Sequence, residues 1–196
     1  MNYTGYGLWP KSGVKPTNTE LVILVDEQNN VLGTMPKAEV HGATTPLHRG
    51  FSLFVFRSSD QHVLLQQRSA KKRTWPLIWS NSCCGHPGPG ESNVDAARRR
   101  LKYELGLVPM LLEEVAPYRY CFTKEGIMEY EICPILVGVV EQEPVINPDE
   151  VEAVRWQEWN AFLEEIARDP MSYSEWCVEE ARILQETPRC KELVGF

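Results

Sequence analysis

The sequence predicts an α/β protein in which a mixed β-sheet packs against helices. Short apolar, strand-like segments recur along the chain, a few amphipathic helical segments lie between them, and no internal repeat interrupts the pattern. A length of 196 residues with a hydrophobic fraction of 43% is enough for one domain with a substantial apolar core. We interpret residues 1–20, rich in Gly, Pro, Thr and Asn, as an N-terminal arm and residues 21–196 as a single folded domain.

The first half of the chain predicts two strand pairs followed by a long loop. Residues 21–25 and 31–35 are apolar runs on either side of a polar turn, and residues 51–56 and 63–67 repeat this arrangement. Residues 68–90 show no regular periodicity and are rich in Trp, Pro, Gly, Cys and His. Because an irregular stretch of this length in a compact domain usually carries function, this loop is a candidate site.

The second half predicts helices separated by strands. Ser92 opens the first of these helices with Asp95 as its capping partner, and Gly106 ends it. One face of this helix carries the apolar residues Val94, Ala97, Leu101 and Leu105. Strands are expected at 115–123, at 127–139 with an interruption at Pro134, and at 154–156; further helices are expected at 160–168 and 174–186.

Charge and cysteine content narrow the classes of protein to which the chain could belong. A net charge of −7 argues against nucleic acid as the main partner. The first 13 residues lack the basic and apolar segments of a secretory signal, and the apolar stretch at 132–140 is too short to span a bilayer. We therefore expect a soluble cytoplasmic protein that binds no membrane and keeps its six cysteines reduced. A cysteine in a motif is then a ligand or a catalyst.

The densest chemical signal lies in the predicted loop, at residues 82–88. Cys84 and His86 are two residues apart among glycines and prolines, so that a thiol and an imidazole can both point into one cleft. A turn with a buried cysteine and a histidine bonded to the backbone would explain the same residues. The residues alone leave both interpretations open.

Three of the four histidines and a pair of glutamates predict a metal site. His41, His48 and His86 lie in or beside loops, whereas His62 lies in a hairpin turn and is expected at the surface. Glu129 and Glu131 are two apart on a predicted strand and therefore point to the same face. Two carboxylates so close repel each other unless a cation lies between them. The competing interpretation is a solvated strand face. The combined set suits one divalent cation, Mn²⁺ or Mg²⁺, with Zn²⁺ as an alternative.

Seven residues match the spacing of a known signature, the Nudix box: Gly85, Glu91, Arg99, Leu101, Glu104, Gly106 and Leu107. Arg100 and Tyr103 stand where the box carries two further glutamates. The chain thus resembles the Nudix superfamily, which implies an α/β/α sandwich with a mixed β-sheet and makes residues 21–196 a Nudix-like catalytic domain. Nudix hydrolases bind several metal ions with the full acidic cluster, so its partial loss argues against hydrolysis.

Segments around the box resemble the type 1 isopentenyl-diphosphate isomerases, in order from about residue 21 to residue 176. The matching segments are Lys37 with His41, then residues 48–52, 67–72, 75–87, 99–106, 118–120, 129–134 and 173–176. The resemblance implies a divalent metal bound by His41, His48, His86, Glu129 and Glu131. It assigns Cys84 as the catalytic thiol and Glu131 as the acid, hydrogen-bonded to Tyr120.

The same resemblance implies how a small isoprenoid diphosphate would be held. Glu104 would bind a Mg²⁺ ion that bridges to the diphosphate of the substrate. The residues matched to diphosphate contacts are Lys37, Arg68, Lys72 and Arg100. Trp176 matches the aromatic residue over the reacting carbons, although a core aromatic near a helix start is an equally good interpretation of it. We expect a monomer or a weak homodimer.

Three functions are compatible with these residues. The first is isomerisation of isopentenyl diphosphate to dimethylallyl diphosphate, in which a proton is added at one carbon and another is removed nearby. The second is hydrolysis of a diphosphate by a Nudix-type enzyme. The third is a metal-binding or regulatory domain without catalysis, for which the thiol and the carboxylates would be dispensable.

Overall fold

The computed structural model describes residues 20–195, so the expected N-terminal arm lies outside the described residues except for Glu20. The strands are β1 (Leu21–Val25), β2 (Val31–Pro36), β3 (His48–Arg49), β4 (Phe51–Arg57), β5 (Val63–Arg68), β6 (Trp79–Ser80), β7 (Cys83–Gly85), β8 (Leu111–Ala116), β9 (Arg119–Lys124), β10 (Ile127–Ile132), β11 (Ile135–Val140) and β12 (Val151–Gln157). The helices are α1 (Lys37–Val40), α2 (Asn93–Leu105), α3 (Trp159–Arg168), α4 (Glu175–Glu186) and α5 (Pro188–Val194), with a short 3₁₀ helix at Pro170–Ser172.

The strands form two mixed sheets rather than the one that we expected. The smaller sheet has the order β2-β1-β3-β10-β9, and the larger has the order β12-β5-β4-β11-β8 with β6 beside β5 and β7 beside β4. Each sheet is mixed because it contains one parallel pair, β3 with β10 and β4 with β11. The predicted α/β class is confirmed.

Two chain segments pass together from the smaller sheet into the larger one. Gly50 separates β3 from β4, and Cys133 and Pro134 separate β10 from β11. Backbone hydrogen bonds continue across the break, from Gly50 N–H to the Ile132 carbonyl (2.9 Å) and from Ser52 N–H to the Pro134 carbonyl (3.1 Å). Pro134 has no N–H to donate, and it lies where the chain leaves one sheet for the other. The strand predicted at 127–139 is therefore two strands.

The larger sheet is covered by helices on both faces. On β4, Leu53 and Val55 pack with α2, while Phe54 and Phe56 pack with α3 and α4. This alternation follows from the two-residue period of a strand, and full burial of each such side chain stabilises the fold by about 1.5–3 kcal/mol. The layers are thus helix, sheet and helix, as the α/β/α prediction requires.

The predicted boundaries of α2 are confirmed. The Ser92 hydroxyl accepts a hydrogen bond from Asp95 N–H (3.1 Å), and Gly106 ends the helix with a left-handed φ of 68°. Other boundaries were wrong: residues 115–123 are the end of β8 and most of β9 on either side of Pro117, and the loop at 68–90 contains β6 and β7. The short helices α1 and α5 were not predicted, because neither is long enough to show a helical period.

All six cysteines are free thiols. Five of them are buried or half-buried, and Cys121 is exposed on β9. Between residues 20 and 195, none of the helices combines the length and the apolar character needed to cross a bilayer.

Candidate active site

A cavity of about 490 Å³ contains most of the residues predicted to be functional. Its walls come from both sheets and from α1, α2 and α4. The predicted residues that line it are Lys37, His41, Arg68, Lys72, Cys84, His86, Arg100, Tyr120, Glu129, Glu131 and Trp176. His48 and Glu104 are buried behind this wall and do not line the cavity. His62 lies at the surface beside Asp60, as predicted.

Three imidazoles converge on one oxygen of Glu131. The Oε1 atom lies 3.0 Å from Nε2 of His86, 3.3 Å from Nε2 of His48 and 3.9 Å from Nε2 of His41. One ligand atom from each of these four residues lies within 4.8 Å of all the others. Strand pairing produces this arrangement in part, because β3 and β10 run in parallel with His48 opposite Glu131.

The imidazole of His48 is held as a metal-ligating imidazole would be. Its Nδ1 lies 2.9 Å from the Pro46 carbonyl, which can only accept a hydrogen bond, so Nδ1 carries a hydrogen. Nε2 of His48 and Nε2 of His41 are buried and have no hydrogen-bond partner, and the same is true of Nδ1 of His86. Unpartnered imidazole nitrogens next to a buried carboxylate fit a divalent cation. In histidine ligands the ring nitrogen that does not bind the metal typically donates its N–H to a carbonyl or a carboxylate, as Nδ1 of His48 does.

The protonation states of His86 and Glu131 favour cation binding. At His48, burial lowers the pKa but the neighbouring Glu131 carboxylate outweighs it and raises the pKa, so a cation competes there with a proton. Burial lowers the pKa of His86 to about 4. Burial alone would raise the pKa of Glu131, but the three surrounding imidazoles, His86 foremost, hold it well below its ordinary value. At neutral pH the site therefore combines a neutral imidazole with an ionised carboxylate, which are the forms that bind a metal ion.

Glu129 shares the face of Glu131 but has a different partner. Both carboxylates are buried, whereas Met128, Tyr130 and Ile132 on the other face are only half-buried. We expected the Tyr120 hydroxyl to be bonded to Glu131; instead it donates to Oε2 of Glu129 at 3.2 Å. Tyr120 lies opposite Glu131 in the strand register, but its long ring reaches the carboxylate one pleat away. Glu129 as a metal ligand stays a prediction.

Burial keeps the Tyr120 hydroxyl protonated. It raises the pKa of Tyr120 far above its ordinary value, and the negative charges of Glu131 and Glu129 add to that rise. A protonated phenol can donate its hydrogen to a carboxylate, as Tyr120 does to Glu129.

Gly50 makes room for the Glu131 carboxylate. A Cβ at position 50 would overlap Oε2 of Glu131 and stand 2.9 Å from its Cδ. We expect Gly50→Ala to push the carboxylate away from the imidazoles and to lower metal affinity by about tenfold or more, as changes next to ligands do. Titration calorimetry with Mn²⁺ measures this.

The matched control for Gly50→Ala is Gly88→Ala. There the new Cβ would lie 3.6 Å from Oε2 of Glu91, an ordinary contact. Equal Mn²⁺ affinity of the parent and Gly50→Ala would show that the carboxylate does not need this space.

The Cys84 thiol faces the cavity from the larger sheet. Its sulfur donates to Oδ1 of Asn81 at 3.2 Å and lies 3.5 Å from the Ser52 hydroxyl. Burial raises the pKa of Cys84 to about 12, and the negative charge of Glu180 acts in the same direction. Cys83 points away from the cavity into the core beside α2. The structure thus places the thiol predicted to be catalytic, and not its neighbour, at the cavity.

Glu180 is a buried carboxyl group that the sequence did not single out. It lies on α4 one turn beyond Trp176, is fully buried, and neither of its oxygens has a hydrogen-bond partner. Burial raises the pKa of Glu180 well above its ordinary value, and the carboxylates of Glu131 and Glu179 contribute to this. The signal available from the sequence was an acid on the apolar face of a helix.

Removing the ionisable group at position 180 should stabilise the protein at high pH. A raised folded-state pKa means that stability is fully present below the unfolded-state value near pH 4.3 and is lost as pH rises, by about 1.4 kcal/mol per unit. Glutamine does not titrate, so its free energy of unfolding lacks this loss. Between pH 5 and pH 8 the difference in unfolding free energy between Glu180→Gln and the parent should grow by about 1–3 kcal/mol in favour of the variant. Urea unfolding at both pH values measures it, with exposed Glu186→Gln as the control. Parallel pH profiles for parent and Glu180→Gln would contradict this.

The four predicted diphosphate contacts line the cavity together with Lys71 and Arg73, and acidic side chains pair with three of the four. Lys37 pairs with Glu20 (3.1 Å), while Glu150 pairs with both Lys72 and Arg100. Arg68 instead donates to the carbonyls of Thr74 and Trp75. Burial lowers the pKa of Lys37, and the nearby Arg100 acts in the same direction. The predicted diphosphate contacts are therefore grouped at one cavity wall.

The pair formed by Arg100 and Glu104 is buried rather than exposed. The Nε of Arg100 donates to Oε1 of Glu104 at 3.0 Å, and its Nη2 bonds the same oxygen. Arg100 occupies the position at which the Nudix box has a glutamate, so a cation now neutralises the remaining acid. Binding Mg²⁺ at Glu104 would require this guanidinium to release the carboxylate.

Trp176 is both a core residue and part of the cavity wall. Its ring is almost fully buried, stacks on Tyr120 at 5.7 Å between centroids, and lies edge-on to Trp75 at 5.2 Å. The guanidinium of Arg68 lies over it at 5.5 Å. The two interpretations of this residue from sequence are thus both compatible with its position.

A family model and curated relatives identify the same protein family. The NUDIX domain family matches residues 46–177. An isopentenyl-diphosphate Delta-isomerase of Agromyces mediolanus is 42% identical over 174 residues, which are 87% of this chain and 84% of the relative. A protein with the same name from Kocuria rhizophila is 40% identical over 178 residues, covering 90% of this chain and 96% of the relative.

Solved structures agree on the fold. A crystal structure of a Deinococcus radiodurans protein superposes with a TM-score of 0.66 at 19% identity, covering 83% of this chain and 98% of that chain. A NUDIX hydrolase from Alicyclobacillus acidocaldarius gives a TM-score of 0.54 at 14% identity, covering 71% of this chain and 91% of that chain. At these identities the similarity concerns the fold alone.

Proposed function

Because the chain belongs to the isopentenyl-diphosphate Delta-isomerase family of NUDIX-domain proteins, we propose that it converts isopentenyl diphosphate to dimethylallyl diphosphate. The observation that carries this proposal is the convergence of three imidazoles on the Glu131 carboxylate in a cavity that is also lined by the Cys84 thiol and by six lysine and arginine side chains. Each part of that arrangement has a use in moving a carbon–carbon double bond.

Two proton-transfer groups enter the cavity from different sheets. A proton added to the terminal carbon of the alkene leaves a tertiary cation at the next carbon, and loss of a proton from the neighbouring carbon completes the shift. In this proposal Glu131, with the Glu129–Tyr120 pair beside it, is the acid and Cys84 is the complementary proton-transfer group. The reacting form therefore carries a proton on the Glu131 carboxyl group and none on the Cys84 sulfur, the reverse of their resting states, and each turnover returns them to the resting states. Burial of both excludes water, which an alkene cannot outcompete for a proton.

Trp176 is the residue that we assign to stabilise the tertiary carbocation of the reaction. The face of an indole attracts a desolvated positive charge by about 2 kcal/mol or more. Its stack on Tyr120 and its almost complete burial hold the ring in the wall of the cavity.

His41, His48, His86 and Glu131 would hold a divalent cation, with Glu129 as a further ligand. When bound, such a cation neutralises the cluster and makes a coordinated carboxyl group a stronger proton donor. Mn²⁺ and Mg²⁺ suit this mixture of nitrogen and oxygen ligands, with Zn²⁺ as an alternative. His48 and its hydrogen bond to the Pro46 carbonyl keep one imidazole nitrogen directed at the centre of the group.

The basic side chains that line the cavity would bind the diphosphate of the substrate. Lys37, Lys72 and Arg100 now pair with Glu20 and Glu150, and a doubly charged diphosphate would compete with these carboxylates for the same donors. A Mg²⁺ ion at Glu104 remains part of the proposal: once Arg100 turns to the diphosphate, the Glu104 carboxylate becomes available.

Hydrolysis of a diphosphate is the function that the site favours less. In this chain arginine replaces a glutamate of the Nudix box at position 100. The buried Arg100–Glu104 pair neutralises the carboxylate that hydrolytic metal ions would need. Isomerisation does not need the full acidic cluster: its catalytic cation would lie among the histidines, and Glu104 is needed only after Arg100 has turned to the diphosphate.

A product assay separates the two functions. Purified protein with Mg²⁺ and isopentenyl diphosphate should form dimethylallyl diphosphate, measured by acid lability of the allylic product, without release of phosphate. Phosphate release without an allylic product would replace the isomerase by a hydrolase. Absence of both in metal-loaded protein would leave a non-enzymatic metal-binding domain.

Metal loading should stabilise the fold as well as enable turnover. A ligand that binds only the folded state adds about 2.7 kcal/mol at a free concentration of 100 times its Kd. We expect chelation to abolish turnover and lower the melting temperature, and Mn²⁺ or Mg²⁺ to restore both; elemental analysis should find about one tightly held ion per chain. Full turnover by protein free of metal would contradict the assignment of the four ligands.

A further inference from the structure

Asn81 connects two of the residues assigned to the reaction. It lies between β6 and β7, three residues before Cys84, and is fully buried. Its carboxamide oxygen accepts three hydrogen bonds, from the Cys84 thiol at 3.2 Å, from the indole N–H of Trp176 at 3.2 Å, and from the Ser80 hydroxyl at 2.8 Å. Trp176 is on α4 and Cys84 is on β7, so one atom joins two separate elements.

The partners of Asn81 determine which way its amide points. Its Nδ2 donates to the carbonyls of Leu53 and Cys83, both at 3.2 Å. An indole N–H can only donate and a carbonyl can only accept, so the reversed amide would face donor with donor and acceptor with acceptor. A fully buried amide pays the full desolvation cost for such mismatches. The oxygen is therefore held toward Cys84 and Trp176.

This anchor controls a distance that matters for the proposed chemistry. The thiol must reach a hydrogen on the substrate while the indole face stays over the developing cation. The indole also stacks on Tyr120, with 22° between the ring planes, so its orientation extends to the hydroxyl beside Glu129.

We propose that Asn81 is a positioning residue that holds the Cys84 thiol and the Trp176 indole in register through its one carboxamide oxygen. The proposal rests on the isomerase function. Asn81 does not line the cavity, so it acts through its two partners and not by contact with the substrate.

Replacing Asn81 by alanine should affect turnover more than substrate binding. A misplacement of about 1 Å costs on the order of 10²-fold in rate, so Asn81→Ala should lower kcat by about that factor. KM for isopentenyl diphosphate should stay within about threefold, because Lys37, Arg68 and Lys72 still hold the diphosphate. The control is Asn93→Ala, which removes an asparagine side chain that bonds Glu114 outside the cavity. It should keep the parent kcat.

A spectroscopic readout tests the anchor without requiring turnover. The indole N–H resonance of Trp176, identified by its absence in Trp176→Phe, should shift in Asn81→Ala and exchange faster with solvent. An unshifted resonance would overturn the inference whatever the activity. A shifted resonance in a protein whose parent forms no dimethylallyl diphosphate would refute the isomerase function instead, and with it the purpose of the anchor.

Asn81→Asp decides the matter if Asn81→Ala does not fold. The buried acid, when neutral, keeps the acceptor oxygen and replaces one N–H donor by an O–H, so this variant should keep the Trp176 resonance and turn over within about tenfold of the parent. The inference is overturned if Asn81→Asp is slower than the parent by about 10²-fold or more. It is also overturned if Asn81→Ala is within threefold of the parent, or if Asn93→Ala loses as much kcat as Asn81→Ala.

Discussion

Glu131→Gln should remove both metal binding and turnover. Three imidazole nitrogens lie within 3.9 Å of Oε1 of Glu131, and Glu131 is the acid of the proposed reaction. Glutamine keeps the shape but cannot carry the negative charge that a divalent cation requires, nor can it deliver a proton. We expect a rate loss of about 10³-fold or more, since general acid catalysis alone is worth 10²–10⁴-fold. Steady-state kinetics and elemental analysis on the same sample measure the two effects.

Glu125→Gln is the matched control for this variant. Glu125 lies in the exposed turn between β9 and β10 of the same hairpin, so it changes the net charge equally without touching the cavity. It should keep the parent rate and metal content. Glu131→Gln with a bound ion and a rate within tenfold of the parent would mean that another group protonates the alkene and that the histidines suffice for the metal.

Cys84→Ala should abolish turnover and leave metal binding unchanged. The thiol lies outside the group formed by His41, His48, His86 and Glu131, so its loss removes no ligand. Loss of one proton-transfer group is expected to cost about 10²–10⁴-fold in kcat. The combination of normal metal content with absent turnover distinguishes this variant from Glu131→Gln.

Cys83→Ala separates the chemistry of Cys84 from the effect of losing a cysteine in β7. Cys83 is fully buried in the core beside α2, so alanine should cost stability, measured by urea unfolding, and not turnover. If Cys83→Ala lost turnover as completely as Cys84→Ala, the assignment of the thiol would be wrong.

The parts of the site that follow local rules could be predicted from the sequence. Glu129 and Glu131 share a face because strand residues alternate, and Ser92 and Gly106 delimit α2 through capping. The family resemblance then predicted that the three histidines and Cys84 belong to one site. His41, His86 and Cys84 line the cavity, and His48 lies behind its wall.

The parts that depend on long-range contacts could not be predicted. No local pattern indicates that Tyr120 donates to Glu129 and not to the residue opposite it, because that choice depends on the length of a ring across a pleat. The three hydrogen bonds to Asn81 join residues from β6, β7 and α4, and the unpartnered Glu180 is visible only once α4 is packed. The division of the strands between two sheets likewise depends on a backbone crossing at Gly50 and Pro134.

That crossing has a consequence for how the protein folds. The parallel ladder that sets His48 beside Glu131 joins segments separated by roughly 80 residues, and the entropy of closing so long a loop must be met before the contacts reward it. Ladders of this kind form late in folding. We therefore expect that His48 and Glu131 are not yet in contact in the folding transition state. A cation that binds the finished group would then slow unfolding while leaving the folding rate nearly unchanged, and its contribution would be to the lifetime of the native state.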